Sequence, residues 1–352
     1  MHIWFLFHIS ILILSRFYLC LKGVGRKYVM WSIILILIYF STFRDGLGSD
    51  YLQYVYRIED YDSVDAFMLG FLKEPLFGLI SVFINYTILS PVFLFFICAL
   101  VTNIGFSTYI FKDNKYVFWS LMLYVFLSTM YSQSFNIIRQ FFSVGLFLLA
   151  LNYVGKSLLK YLALIFVAVM MHTSAIILLP FYWLLKIQFK IKYIVPSLLL
   201  LISFSLLLFP YFSILGGKYL DSVNSDMVMS NSGMIIFYNL LFVLLLFNRK
   251  MYYDLDNISR NLFIFFILTI DLSYINISFY RLSYYFFPVI LTIIPYILHR
   301  LLKKDILNYM AVFCLIILFY TNLLLNVNDS TIVPSKILPI SSIFDEVYKF
   351  YF

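Results

Sequence analysis

The sequence predicts an all-α polytopic membrane protein of about ten to twelve spanning helices, and three observations carry that prediction. Its 352 residues are 63% hydrophobic and only 12% charged, with a mean hydropathy of +0.96, which is more apolar surface than a soluble core can use. The apolar residues fall in continuous runs of spanning length without the alternation of barrel strands, so helices are what can satisfy the backbone in lipid. Lys and Arg gather in alternate loops between the runs, as the positive-inside bias requires. No stretch is left for a separate soluble domain, and residues 1–352 read as a single integral membrane domain.

Taken in order, spans are expected over 3–19, 28–43, 91–111, 116–131, 140–154, 193–212, 234–247, 262–277, 282–298 and 306–325. The opening MHIWFLFHIS has neither a basic stretch nor a small-residue cleavage site, so the first span is expected to be retained. Two further apolar stretches, 75–89 and 162–185, fit neither one span nor two. Each is expected to be a half-helix or re-entrant segment, which is tolerated at membrane depth where it is buried in protein or lines a cavity. With both read as re-entrant, 17 of the 25 Lys and Arg fall on the cytoplasmic side. The loop 44–74, which carries seven carboxylates, and the loop 213–232 are then extracytoplasmic. The tail from 326 is expected to lie along the outer surface, and many of the 30 tyrosines suit the interface between lipid and water.

The net charge of +8 follows from that bias and needs no anionic partner, and no nucleic-acid motif is present. Cys20, Cys98 and Cys314 lie in apolar runs without paired spacing, so neither a disulfide framework nor a metal site is expected.

The candidate site begins at RDGLGSDYLQY, Arg44 to Tyr54, where an apolar run ends in glycines, charges and tyrosines. Gly46 and Gly48 allow a tight loop there, and Asp50, Tyr51 and Tyr54 are held within it. Three outer-side arginines break the charge rule together: Arg44, Arg139 beside Asn136 and Gln140, and Arg281 beside Tyr284 and Tyr285. A charge at membrane depth faces a cavity or a partner, and guanidinium groups match phosphate oxygens in pairs, so converging arginines would bind a pyrophosphate. The alternative for each arginine is snorkelling or a nearby carboxylate. His172, in MMHTSAIILLP, would enter the cavity at a helix break and could act as a general base or acid, or as a helix-to-helix hydrogen-bonding residue. Glu74 opens EPLFGLI, where it either caps a helix begun by Pro75 or faces the substrate. Asp271 lies at membrane depth and has to be protonated, paired or turned to a cavity.

The ordered pieces FRDGLGSDYLQY, EPLFGLI, NIIRQFFSVGLFLLAL, LKYLALIFVAVMMHTSAIILLP and RLSYYF resemble the EpsG/Wzy-type polymerases of bacterial surface polysaccharides, among them O-antigen and capsule polymerases. The resemblance runs from about Tyr39 to Pro288, although the acidic loop here is longer and richer in tyrosine than usual. It implies a fold similar to GT-C-like integral membrane glycosyltransferases, in the bacterial cytoplasmic membrane with the active site on its outer face. It implies substrates carried on undecaprenyl pyrophosphate and a partner protein that regulates chain length. Arg139 and Arg281 would hold the pyrophosphate, with Arg44 near it or near the acceptor, and the acceptor hydroxyl would be activated by His172 or Asp50, or by positioning alone. Tyr51, Tyr54, Glu74, Asn136, Gln140, Tyr284 and Tyr285 would contact substrate. No cofactor or metal is called for, since the arginines can take the leaving-group charge and no Asp-x-Asp pair is present. The competing readings are a lipid-linked oligosaccharide flippase, which would be expected to show paired repeats, and a membrane acyltransferase, which has less reason for three arginines.

Overall fold

The computed structural model describes residues 2–44, 46–59, 73–112, 115–194, 196–198, 232–273, 277–301, 309–310, 313–314 and 316–321. Among them no strand occurs, and the protein is all-α, as its apolar runs predict. The helices are α1 (His2–Cys20), α2 (Gly23–Thr42), α3 (Tyr51–Glu59), α4 (Pro75–Asn85), α5 (Val92–Phe111), α6 (Val117–Phe126), α7 (Ile138–Ala150) and α8 (Leu158–Met171). After them come α9 (Ser232–Phe247), α10 (Arg249–Asp254), α11 (Asn257–Leu272), α12 (Ile277–Ser283) and α13 (Ile290–Leu301). Of the described helices, α1, α2 and α5 are long and apolar enough to cross a membrane by themselves, and α4, α6, α7, α8, α9 and α13 are shorter and apolar. The expected loop 213–232 and tail from 326 lie outside the described residues, apart from Ser232 at the start of α9, as do 60–72 of the acidic loop and most of the expected span 193–212.

The chain forms two compact units, one of residues 1–179 with 294–352 and one of residues 180–293. In the first, α7 packs on α5 through two glycines. A Cβ on Gly145 would stand 2.6 Å from the Val101 carbonyl oxygen, and one on Gly105 would collide with the Gly145 backbone. Small residues at such a crossing let two backbones meet where lipid supplies no hydrophobic drive between helices. Buried polar groups then join the helices. Asn103 donates to Ser41 Oγ at 3.2 Å and to the Ala99 carbonyl at 2.8 Å, and accepts from the Tyr124 hydroxyl at 3.0 Å. The Tyr131 hydroxyl donates to the Leu37 carbonyl at 2.7 Å, and Ser143 Oγ on α7 donates to the Ala168 carbonyl on α8 at 2.8 Å. Each bond satisfies a donor that would otherwise be stranded away from water.

The second unit is organised by α11. Asp256 accepts from the Ser259 amide at 3.0 Å and so caps its start. Asn261 closes the helical turn Phe181–Leu184 by donating to the carbonyls of Leu184, Leu185 and Ile187 at 3.1, 3.1 and 2.8 Å. Asp271 accepts from Asn239 on α9 at 2.6 Å, so this carboxylate has a partner. The expected continuous span 282–298 is interrupted: α12 ends at Ser283, and a 3-10 turn, Phe287–Val289, precedes α13. Pro288 at the head of that turn lacks the amide hydrogen that an unbroken helix would require.

Candidate functional site: a carboxylate between an arginine and a histidine

Four elements of the first unit bring Tyr54, Glu74, Arg139 and His172 together. Pro75 starts α4 and, as prolines do, biases the residue before it to an extended backbone, here Glu74 with φ −141° and ψ 76°. The Glu74 side chain makes no hydrogen bond to the helix it precedes. Its carboxylate turns instead to two partners: Oε2 pairs with the Arg139 guanidinium, and Oε1 lies 2.7 Å from Nδ1 of His172. Arg139 is the second residue of α7, fixed by the α5 crossing. His172 follows the last residue of α8 in extended conformation, φ −152° and ψ 113°, and a 3-10 helix, Thr173–Leu178, continues the chain at a new angle. A continuous helix would carry the His172 ring around the α8 surface, whereas the break presents it to Glu74.

Arg139 also lies against two aromatic rings, Phe77 at 4.9 Å and Tyr54 at 5.6 Å, and is hydrogen-bonded to the Tyr54 hydroxyl. Its Nε hydrogen is buried and has no hydrogen-bond partner among the described residues. The group is nonetheless reachable, since the side chains of Arg139, Glu74 and His172 are 21%, 12% and 25% exposed. Burial by itself raises the Glu74 pKa, but the hydrogen bond from His172 and the charge of Arg139 outweigh it and hold the carboxyl below the usual carboxylate range. Glu74 is therefore ionised at neutral pH. Phe77 escaped the sequence reading, although its spacing three residues after Glu74 on a helix is the signal for a shared face.

The Arg44 loop docks beside this group. Arg44 is 2% exposed, and its guanidinium donates to the carbonyls of Leu47 at 3.0 Å and Phe135 at 3.1 Å. Phe135 and Phe95 face it at 4.5 and 5.1 Å. Asn136 accepts from the Ser49 amide at 2.9 Å. Gly48 has φ +114°, and a Cβ there would come within 3.0 Å of the Phe135 carbonyl oxygen, so both backbone angle and space require glycine. Asp50 is half-buried and accepts from the Ser49 hydroxyl at 3.2 Å, while Tyr51 is buried and stacks on Phe95. Gln140 is buried on α7.

Arg281, Tyr284 and Tyr285 belong to the second unit. Arg281 is exposed near the end of α12, Tyr284 and Tyr285 are buried just beyond it, and Tyr284 packs on Tyr280 edge-to-face. No cluster of three or more metal-ligating side chains occurs among the described residues.

A search of curated proteins and one of solved structures each gave no match. The description EpsG family fits residues 27–339, which takes in every element of the carboxylate site, and such a family points to a membrane polysaccharide polymerase of glycosyltransferase type. With its apolar helices, its ordered motifs and that span of agreement, this chain belongs to the EpsG family.

Proposed function

We propose that this protein lengthens a polysaccharide by transferring the growing glycan from undecaprenyl pyrophosphate to a hydroxyl of an incoming lipid-linked repeat unit. The observation that carries the reading is the Glu74 carboxylate held between Arg139 and His172. Where Glu74 Oε1 accepts the Nδ1 hydrogen of His172, the lone pair on Nε2 is left to take the proton of the acceptor hydroxyl. The acceptor oxygen then bonds to the anomeric carbon as the carbon–oxygen bond to pyrophosphate breaks from the opposite side, which inverts the configuration. The electron pair leaves on the pyrophosphate oxygen, whose charge the partly exposed guanidinium of Arg139 meets. Arg281 is assigned to pyrophosphate binding, and guanidinium groups take the charge that a metal ion would otherwise take. Arg44 serves the reaction by holding its loop against the N-terminal end of α7. Asp50, Tyr51, Tyr54, Tyr284 and Tyr285 are assigned to the sugar and acceptor side, where aromatic faces suit pyranose rings.

The site is assigned to the extracytoplasmic face of the bacterial cytoplasmic membrane. A chain-length regulator is the protein partner that goes with the reaction. Purified protein supplied only with a lipid-linked repeat unit, in the presence of a chelator, is expected to yield a ladder of polymer and free undecaprenyl pyrophosphate. A preparation that moves the lipid-linked unit across vesicles without joining units would establish a flippase instead.

A further inference from the structure

The opposite end of the helices that carry Arg139 and His172 holds a second feature, a cavity of about 700 Å³ lined by Lys112, Lys156 and Lys160 together with Asn152 and Tyr153. It lies where α5 ends, α7 ends and α8 begins. Arg139 and His172 stand at the other ends of α7 and α8, eight to ten residues from the nearest lining residues Leu164 and Leu149, or roughly 12 to 15 Å. The cavity is therefore separate from the carboxylate site.

Its level in the membrane follows from α5. That helix has 20 residues and is apolar and long enough to cross the hydrocarbon, and Lys112 is the first residue past its end. The lysines therefore ring the cavity at a membrane surface. Lys112 is held by the side chain of Asn152, and the Lys160 ammonium lies 5.5 Å from the Tyr153 ring centre. Among the described residues that line the cavity there is no carboxylate. On α8, Leu159 and Phe166 are 80% and 64% exposed, so an apolar face leads away from the lysines towards the membrane interior. Orientation bias accounts for lysines in a loop, but three of them around one cavity that adjoins an exposed apolar face form a surface matched to one kind of ligand.

We propose that this cavity binds the phosphate headgroup of an anionic phospholipid, with the acyl chains lying along the exposed face of α8. The lipid would bridge the ends of α5, α7 and α8 from the side opposite the carboxylate site, and so hold the helices on which Arg139 and His172 are mounted. The binding does not depend on the polymerase reading.

The test uses the full-length protein, stripped of lipid in detergent and returned to vesicles of phosphatidylcholine alone or of phosphatidylcholine and phosphatidylglycerol in about equal amounts. Lipid retained by the protein is then read by native mass spectrometry. Wild type is expected to retain phosphatidylglycerol selectively. The triple variant Lys112→Gln, Lys156→Gln and Lys160→Gln is expected to bind it on the order of a hundredfold more weakly, from the attraction of each lysine near an anionic surface. The matching triple arginine variant keeps the charge and should retain the lipid, which controls for folding. Equal retention by wild type and the glutamine variant, or equal retention of phosphatidylcholine, overturns the proposal. Displacement of the lipid by inorganic phosphate at low concentration would also overturn it, because it would assign the cavity to a soluble anion.

Discussion

Arg44 and Arg139 are both arginines drawn into an apolar protein, and they differ in which oxygens meet them. Arg44 faces backbone carbonyls and two phenylalanines and is closed off from solvent. Arg139 faces a carboxylate and a tyrosine and remains partly exposed. A carbonyl is part of the fold and cannot be displaced without unfolding the loop. A carboxylate on a side chain can give up the guanidinium to a better anion, and a pyrophosphate with two charged groups is one. Under the proposed function, the same residue type serves as a lock in one place and as an anion receptor in the other.

The largest effect expected separates the two. Arg139→Ala should lower polymer formation by about 10²- to 10³-fold, as the loss of a charge-stabilising donor does elsewhere, with a smaller loss of thermal stability than Arg44→Ala because His172 still meets the Glu74 carboxylate. Arg44→Ala should do the reverse in kind: it strands the carbonyls of Leu47 and Phe135 at about 1 to 3 kcal/mol each and lowers the unfolding temperature in detergent. Lysine at 44 should not restore stability, because a point charge cannot reproduce two directed bonds and a stacked plane. If Arg139→Ala protein melts early and Arg44→Ala protein is stable but inactive, the assignment of lock and receptor has to be exchanged.

Next in size is His172→Ala, for which polymer formation should fall by about 10²-fold or more while binding of the lipid-linked donor is kept. A steady-state analysis should show the loss in kcat and not in KM. Unchanged turnover would reduce His172 to an anchor for Glu74 and leave the arginine comparison intact.

The fold class was legible in the sequence because lipid imposes a single rule on the backbone, and long apolar runs with alternating basic loops obey it visibly. The family was legible from motifs in fixed order, from the Arg44 loop to Arg281. Within the site, local oddities drew attention to Glu74, Arg139 and His172 one at a time. What could not be read is that one carboxylate serves both partners, since Glu74 is 65 residues from Arg139 and 98 from His172. Nor was the closure of Arg44 legible, because its acceptors are the main-chain oxygens of Leu47 and Phe135, and any residue at those positions carries the same oxygen. The break in the expected span 282–298 falls at Pro288, whose missing amide hydrogen is legible in the sequence although hydropathy averages over it.

Glu74→Gln should have a smaller effect than His172→Ala, a loss of about tenfold in turnover, because the amide oxygen can still accept a hydrogen bond from His172 while the charge that orders Arg139 is gone. Its sharper signature is in pH. The folded-state value of Glu74 is depressed, so the stabilisation is present above the unfolded carboxylate value and is lost as pH falls through the folded one. The wild type should lose thermal stability on that acid limb, and the Gln variant should lose less. Identical acid limbs would mean that the Glu74 contacts contribute nothing net to folding.

The smallest effect tests whether the Arg44 region is a lock and nothing more. Asn136→Ala removes the acceptor of the Ser49 amide, one neutral hydrogen bond on a partly exposed loop, and should lower stability by about 1 kcal/mol. Asn136→Asp keeps a carboxamide-like oxygen in the same place and should restore that stability, although it adds a negative charge three residues before Arg139. Asn136 adjoins Phe135, the acceptor of the Arg44 guanidinium, so loosening it acts on the lock and not on the receptor. Turnover by Asn136→Ala protein at a temperature where it is folded should therefore match wild type. A drop in turnover without a drop in stability would place Asn136 in contact with substrate, and the boundary between the two arginine environments would then run through Asn136 itself.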